Sequence, residues 1–211
     1  MNLAIKQPVE KMYSFILAPN ALNNIIGFLL SNFSHAESLK TWDLNKKYFD
    51  EKLTIISNPS DNRHVLFDQI VNKGIAPEEV FIIENGILKN YLLDENDSDT
   101  LHIPYLNNSF THREVQQGFS SLDDMVASCS ESILIIEMHG EFDPTGSFSG
   151  IIKQGYFIKD GKIHYSLTNV TISLNVFDIF NAIIDISKET VSFGTKIFPY
   201  IKFNELLLVT N

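Results

Sequence analysis

The sequence has little cysteine and few basic residues. Its 211 residues contain a single cysteine, Cys129. The chain therefore cannot form an internal disulfide or a CxxC metal site, and a reducing compartment fits it best. Lys and Arg number 16 against 26 Asp and Glu, which gives a net charge of −10. This balance argues against a binder of nucleic-acid backbones or of anionic membrane surfaces, because both classes concentrate Lys and Arg on one face.

Long apolar runs and targeting signals are also missing. The longest runs, such as Ile25–Leu30 and Leu206–Val209, are far shorter than the roughly 20 residues that cross a bilayer. Met1–Ser14 carries Lys6 and Glu10 where a signal peptide has a continuous apolar stretch. We therefore expect a cytoplasmic protein. Hydrophobic residues make up 44% of the chain, which is ordinary for a protein that buries a core.

The clearest local signals are two β-hairpins. In each, two apolar runs flank a two-residue turn whose residues tolerate positive φ, as a type I′ turn requires. The predicted hairpins are Val80–Glu84 and Ile87–Leu93 around Asn85-Gly86, and Tyr156–Lys159 and Lys162–Tyr165 around Asp160-Gly161.

Helical and strand patterns complete the predicted fold. Apolar residues at three- and four-residue spacing predict three helices: Asn20–Phe33 with Asn20 as N-cap, Ser121–Cys129 with Ser120 or Ser121 as cap, and Asn175–Ser187 with Phe177, Phe180, Ile183 and Ile184 buried. Further strands are predicted at Tyr13–Ala18, Leu53–Ile56, Ile133–Ile136, Val170–Ser173 and Lys202–Val209, and a charged loop at Asp94–Asp99. The chain is therefore predicted to be one α+β domain over residues 1–211, mainly antiparallel sheet with a few packed helices.

Four residues at alternate positions form the most suggestive candidate metal site. In a strand, Glu137, His139, Glu141 and Asp143 would point to one side and offer oxygen and imidazole ligands. The same alternation is also typical of the solvent-exposed face of a strand. No HExxH pair is present, so no metal site is predicted, and His139 and Glu141 remain the weak candidates.

Other candidate residues favour structural roles. His112-Arg113-Glu114 is predicted to be an exposed loop, and Cys129 a small buried hydrophobe. There is no GxSxG elbow, and Thr145–Gly150 lacks the lysine and the spacing of a P-loop.

The polar loop of Asp143, Thr145, Ser147 and Ser149 carries enough donors to line a groove that faces a substrate or partner. A plain turn is the alternative, because Gly and Ser dominate turns.

Four stretches of the chain resemble, in this order, the C-terminal domain of the TldD/PmbA (TldE) family. They are Tyr13–Leu30 (YSFILAPNALNNIIGFLL), Phe81–Asp94 (FIIENGILKNYLLD), Asp143–Ser149 (DPTGSFS) and Gly155–Ile183 (GYFIKDGKIHYSLTNVTISLNVFDIFNAI). The resemblance implies a cytoplasmic heterodimeric metallopeptidase that trims unfolded peptides, including precursors of modified peptide antibiotics. In such a pair, TldD carries an HExxxH zinc helix in its N-terminal domain and a cysteine ligand late in its C-terminal domain. TldE/PmbA lacks zinc ligands and completes the cleft.

The sequence departs from this pattern in two ways. It starts at Met1, just before the strand that opens the C-terminal domain, so the family's N-terminal domain is expected to be absent. Lys188–Tyr200 contains no cysteine, and Cys129 lies in a different segment. No catalytic residue is therefore carried over from the family, and zinc is expected in a TldD-like partner and not in this chain.

Three functions follow as hypotheses. The first is a non-catalytic, truncated TldE/PmbA-like subunit that pairs with a TldD-like zinc peptidase and binds an extended peptide, since such peptides gain affinity by adding to a sheet edge. The second is a stand-alone peptide-binding or scaffold protein, a homodimer without a protease partner. The third is a self-sufficient enzyme that holds a metal through Glu137, His139 and Glu141.

Overall fold

The computed structural model of the chain describes residues 3–67, 78–103, 105 and 112–209. Its strands are β1 (Met12–Leu17), β2 (Ile55–Ser57), β3 (Val80–Glu84), β4 (Ile87–Leu88), β5 (Arg113–Val115), β6 (Glu131–Phe142), β7 (Ser147–Lys159), β8 (Lys162–Leu167), β9 (Val170–Asn175), β10 (Ile183–Phe193) and β11 (Lys196–Val209). Its helices are α1 (Pro19–Ser31), the 3-10 helix η1 (Ala36–Lys40), α2 (Glu95–Leu101), α3 (Leu122–Ala127) and α4 (Val176–Phe180).

The described residues form two compact units. Unit 1 combines residues 3–26, 117–190 and 199–209, and unit 2 combines the described residues of 27–116 with 191–198. The prediction that the chain behaves as one domain stays a prediction. None of the helices in the described ranges is both long and apolar enough to cross a membrane.

Unit 1 contains a closed ring of five strands. β1 pairs with β6, β6 with β7, β7 with β9, β9 with β11, and β11 returns to β1. The β1–β6 pairing is parallel and the other four are antiparallel. Phe15 of β1 and Phe203 of β11 are fully buried, with stacked rings 5.1 Å apart. Closure pairs both edges of these strands, so the ring offers few edges to another chain.

Two strands of unit 1 lie off this ring, and each is joined by an extended segment of the same chain. β8 pairs with β7, and Ser166 of β8 exchanges backbone hydrogen bonds with Ala4 and Lys6 at 3.0 and 3.2 Å. β10 pairs with β11, and residues 118–120 lie along its other edge through the bonds from Gly118 N to Ser187 O and from Lys188 N to Ser120 O. Over these residues, both outer edges are therefore covered by extended segments of the same chain.

Unit 2 is built on a small sheet and an aromatic cluster. β2 lies between β3 and β5 in antiparallel pairings, β4 pairs with β3, and β5 also pairs in parallel with the start of β11. Trp42, from a stretch of polar sequence, packs between the rings of Phe33, Tyr48 and Phe49 at centroid distances of 5.2, 4.8 and 6.1 Å. The α+β class with mainly antiparallel pairing is confirmed, with parallel pairs at β1–β6 and β5–β11.

The two predicted hairpins are present. Asn85 and Gly86 have φ of 50° and 77°, and Asp160 and Gly161 have φ of 48° and 72°, as type I′ turns require. The first hairpin is shorter than predicted, because β4 ends at Leu88.

The predicted helix Asn175–Ser187 is wrong after its first turns. Asn175 does cap α4, but the helix ends at Phe180 and β10 begins at Ile183. The residues from 183 to 186 include three isoleucines, whose β-branched side chains favour a strand. Ile183 is buried as predicted, whereas Ile184 is 42% exposed.

Two other boundaries also differ from prediction. The prediction of a loop at Asp94–Asp99 is wrong. Asp94 is the N-cap of α2, where its side chain accepts a hydrogen bond from Asp97 N at 2.8 Å, and Glu95–Asp99 lie in the helix. Helix α1 begins at Pro19 and not after an Asn20 cap. The carbonyl of Ala18 accepts the first helical bond from Leu22 N, and proline suits the first helical position.

Candidate functional site

The turn between β6 and β7 is organised by one carboxylate. Asp143 Oδ1 accepts hydrogen bonds from Thr145 Oγ1 at 2.6 Å, Thr145 N at 2.8 Å and Ser147 N at 3.0 Å. The hydroxyl of Thr145, followed by these backbone donors, lowers the pKa of Asp143 below its ordinary value. The polar groups that were predicted to face a substrate or partner therefore hold the turn in shape.

Ser147 and Ser149 belong to the following strand and not to the turn itself. Both are in β7, where Ser149 pairs with Glu141 of β6 and with Ser173 of β9. Ser149 and Glu141 are solvent-exposed neighbours on the sheet. Of the four predicted loop residues, Asp143 and Thr145 thus form the turn, and the other two flank it.

Asn175 joins this turn to helix α4. Its Nδ2 donates to Thr145 O at 3.1 Å, while its Oδ1 accepts from Phe177 N and Asp178 N at 2.9 and 3.3 Å. Gly146 completes the junction, because Val176 N donates to its carbonyl at 2.8 Å. Gly146 has φ of 87°, and a Cβ there would lie 2.6 Å from the Phe177 ring. Only glycine fits this position.

A pocket of about 260 Å³ opens beside Asn175 in unit 1. Its lining comes from β1, β9, α4, β11 and the connection between α4 and β10, and consists of Met12, Ser173, Leu174, Asn175, Asp178, Ile179, Ala182 and Asn204. Asp178 carries the one formal charge among these residues. The pocket was not predicted from the sequence, in which the N-cap pattern at Asn175 is its one local signal.

The structure brings together only part of the candidate metal site. His139 Nε2 lies 2.9 Å from Glu137 Oε1, and the two side chains are 60% and 41% exposed. Asp143 is engaged in its turn. In the part of the chain that the structure describes, no group of three or more His, Cys, Asp or Glu side chains could hold a metal ion. Zinc sites in proteins take three or four protein ligands, so the described residues do not fit a zinc site in this chain.

Cys129 lies in the core of unit 1. It is 4% exposed, its thiol donates to Met125 O at 3.2 Å, and it packs in a buried cluster with Ile16, Leu134 and Ile158. This is the role of a small hydrophobe, as predicted from the sequence.

The prediction of an exposed loop at His112-Arg113-Glu114 is wrong. Arg113 opens strand β5, and His112 and Glu114 are only 2% and 8% exposed. Glu114 is buried because β5 lies between β2 and β11, and Arg63 Nη2 reaches its carboxylate at 2.6 Å.

The charges around Glu114 form a cluster that sequence analysis did not detect. Arg63 also pairs with Asp61 at 2.5 Å. Hydrogen bonding to Arg63 lowers the pKa of Asp61, whereas burial raises the pKa of Glu114 above its ordinary value. The ring of His64 meets that of His112 edge-on at 5.1 Å, and burial lowers the pKa of His64. Arg63 and Glu114 are 51 residues apart in sequence, so no local pattern signals their contact.

Unit 1 is thus an α+β structure built on a ring of five strands. Its polar features are the turn of Asp143 and Thr145 and the pocket beside Asn175. Residues 10–209 match the family model described as the PmbA/TldA metallopeptidase C-terminal domain. The chain belongs to this family.

Relatives of the chain carry both names of the family. It is 28% identical over 200 residues to the zinc metalloprotease TldD homolog of Saccharolobus solfataricus, covering 86% of this chain and 45% of that protein. It is 29% identical over 152 residues to the metalloprotease PmbA homolog of Buchnera aphidicola subsp. Acyrthosiphon pisum, covering 70% of this chain and 34% of that protein.

The fold is shared with a solved structure. The crystal structure of TldE from Thermococcus kodakarensis superposes with a TM-score of 0.88 at 20% identity, covering 98% of this chain and 52% of that one. The chain thus spans about half, or less, of the length of these relatives.

Proposed function

We propose that this chain is a non-catalytic TldE/PmbA-like subunit that pairs, in the cytoplasm, with a TldD-like zinc metallopeptidase. The two chains together would form the cleft in which unfolded peptides, including precursors of modified peptide antibiotics, are trimmed or matured. Zinc would be held by the partner. The observation that carries the proposal is the place of Cys129. The family resemblance implies a cysteine ligand late in the C-terminal domain, whereas the sole cysteine of this chain is buried in the core and bonded to Met125 O.

Two strand edges bear on the peptide-binding part of the proposal. The outer edges of β8 and β10 are covered by residues 4–6 and 118–120 of this chain through backbone hydrogen bonds. An extended peptide adds to a sheet by the same kind of backbone pairing, so a peptide that bound at one of these edges would take the place of the segment that covers it.

Phe119 supports the partner-binding part. Its side chain is 99% exposed. Its neighbours Gly118 and Ser120 are hydrogen-bonded to β10, so the backbone that carries the ring is fixed. Aromatic side chains are enriched in the cores of protein–protein interfaces, so Phe119 is the candidate anchor.

Co-expression with a TldD-like chain tests the proposal. We expect the pair to co-purify and to hydrolyse unfolded peptides in a chelator-sensitive manner, while this chain alone does not hydrolyse casein or peptides. Phe119→Ser should weaken co-purification at least tenfold, whereas Val65→Ser, which alters a residue that is 64% exposed in unit 2, should leave it unchanged.

Zinc-dependent turnover by the isolated chain would overturn the non-catalytic role. His139→Ala would then be the next variant, since His139 and Glu137 form the described acid–imidazole pair of the candidate site.

The second candidate function is a stand-alone homodimeric peptide-binding or scaffold protein. Phe119 favours it equally, because an exposed anchor can also serve a two-fold interface between identical chains. Sedimentation at micromolar concentration separates the two. A homodimer that persists when a TldD-like chain is added favours the scaffold, and its replacement by a heterodimer favours the proposed subunit.

A further inference from the structure

We infer that the pocket beside Asn175 binds a cationic side chain, lysine or arginine, of the peptide. The inference rests on the proposed function, because it assumes that extended peptides are what this chain meets. The size of the pocket supports a single side chain. About 260 Å³ lies below the roughly 300–1,000 Å³ of sites for whole small molecules or cofactors, so the pocket suits a single side chain.

The composition of the lining matches a long side chain with a charged end. Met12, Leu174 and Ile179 supply apolar surface for the methylene stem. Lysine and arginine bury such stems and keep the charged group near water or near an acceptor. Asp178 is the acceptor of matching charge.

The backbone of Asp178 is held in place, and its carboxylate takes part in no ion pair within the described structure. Asn175 Oδ1 accepts a hydrogen bond from its backbone N–H, and Asn175 is itself tied to Thr145 O. None of the ion pairs among the described residues includes Asp178. The net charge of −10 adds an attractive field for a cation.

The pocket opens directly to solvent, so a peptide can reach it. Met12, Ser173, Asp178 and Asn204 of its lining are all solvent-exposed. Ala182 lies on the β11 side of the pocket, because Asn204 N donates to its carbonyl at 3.2 Å. A lysine or arginine side chain can therefore enter from solvent, and its peptide does not need the edge of β10, which residues 118–120 already cover.

A small probe tests the pocket separately from the edge. The probe is Nα-acetyl-lysine N-methylamide, with the norleucine analogue as its uncharged match, titrated into the purified chain while the backbone amide of Ala182 and the side-chain amide of Asn204 are followed by NMR. We expect the lysine probe to bind about fivefold more tightly than the norleucine probe, the effect of one half-exposed ion pair.

Two variants should remove this preference and one should keep it. Asp178→Asn should bring the two probes to equal affinity, and Met12→Lys should do the same by placing a cation of the chain beside Asp178. Asp123→Asn, which makes the same charge change at an exposed position of α3, should retain the fivefold preference. Equal affinities in the wild type, or a lysine preference that survives in both Asp178→Asn and Met12→Lys, would overturn the inference.

A longer peptide separates failure of the pocket from failure of the proposed function. The same titration is made with an unfolded ten-residue peptide that contains no lysine or arginine and has a blocked amino terminus. If this peptide binds and the probes do not differ, the pocket inference fails while peptide binding stands. If the lysine probe is preferred and the peptide does not bind, the cation site stands and the peptide-binding part of the proposed function fails.

Discussion

The two units each bury a charged side chain, and they stabilise it in different ways. In unit 1, Lys202 is 6% exposed, and its ammonium group donates to Ser128 Oγ at 2.7 Å and to Met125 O at 3.4 Å. In unit 2, Glu114 is 8% exposed, and its carboxylate is paired with Arg63. Neutral oxygens near the end of α3 solvate the first charge, whereas a full counter-charge balances the second.

The two sites differ in whether the remaining polar groups stay paired when the cationic side chain is removed. Without Lys202, the hydroxyl of Ser128 still donates to Met125 O at 2.7 Å, so these two groups remain satisfied. Without Arg63, the buried Glu114 has no other ion pair among the residues that the structure describes, and burial already raises its pKa. Removing one member of a buried ion pair should therefore lower the free energy of unfolding strongly. Removing a buried charge whose neutral partners hydrogen-bond to each other should lower it less.

The hairpin turns give a second contrast and the largest expected effect. A Cβ on Gly86 would lie 2.2 Å from Phe49 O, a Cβ on Gly161 would lie 2.8 Å from Ala127 O, and a Cβ on Gly194 would meet nothing within 4 Å. All three glycines have positive φ. We expect Gly86→Ala to cost about 4 kcal/mol, Gly161→Ala about 3 and the control Gly194→Ala about 1.

Urea unfolding of the three glycine variants measures this order. Equal losses at all three positions would mean that positive φ alone sets the cost. The hairpin around Gly86 would be misassigned if Gly86→Val left the midpoint unchanged.

Removing Arg63 should have the next largest effect. Arg63→Met leaves Glu114 buried and unpaired, a loss of about 3–5 kcal/mol for a fully buried pair. Because the Arg63 side chain is 54% exposed, solvent screens the pair, and we expect about 2 kcal/mol in urea unfolding at pH 7. Lys47→Met is the control, since the Lys47–Glu51 pair is exposed at both ends and its loss should be below about 0.5 kcal/mol. An Arg63→Met loss as small as the control's would place the Glu114 charge in effective contact with water.

The hairpin glycines and the Arg63–Glu114 pair differ in whether the sequence could predict them. The hairpins at Asn85-Gly86 and Asp160-Gly161 were predictable because two residues and their flanking runs contain all the necessary chemistry. The burial of Glu114 was not, because it depends on Arg63, 51 residues earlier, and on strands that flank β5. Helical spacing likewise continued past Phe180, but pairing with β11 takes Ile183 into a strand.

The candidate site follows the same rule. The N-cap role of Asn175 was within reach of the sequence, since Asn before an apolar run is a local signal. Its bond to Thr145 O spans 30 residues, and the pocket combines four separate elements. The residue spacing in the sequence therefore predicts neither this hydrogen bond nor the pocket.

The Glu114 charge should also give unit 2 a distinct pH dependence. The folded state holds the Glu114 proton more tightly than the unfolded chain does, because its folded pKa is raised above 4.5. Ionising Glu114 therefore costs stability, a penalty that is absent below pH 4.5 and complete once the pH has passed the raised pKa. In Glu114→Gln this titration is lost, so between pH 4 and 7 the stability of the variant relative to wild type should rise with pH. Urea unfolding at several pH values measures it, and a difference that falls with pH would contradict the assigned direction.

Lys202→Met should have the smallest effect and completes the comparison with Arg63→Met. Methionine is close to lysine in length and brings no charge into the core, and Ser128 and Met125 O keep their own hydrogen bond at 2.7 Å. Replacing a buried charge by an apolar side chain of similar volume is often neutral or stabilising, so we expect a change within about 1 kcal/mol. Lys202→Ala is the matched control and should cost about 2–4 kcal/mol through the cavity alone. If Lys202→Met were as damaging as Lys202→Ala, the ammonium group and not the volume of the side chain would stabilise unit 1, and the contrast between the two buried charges would disappear.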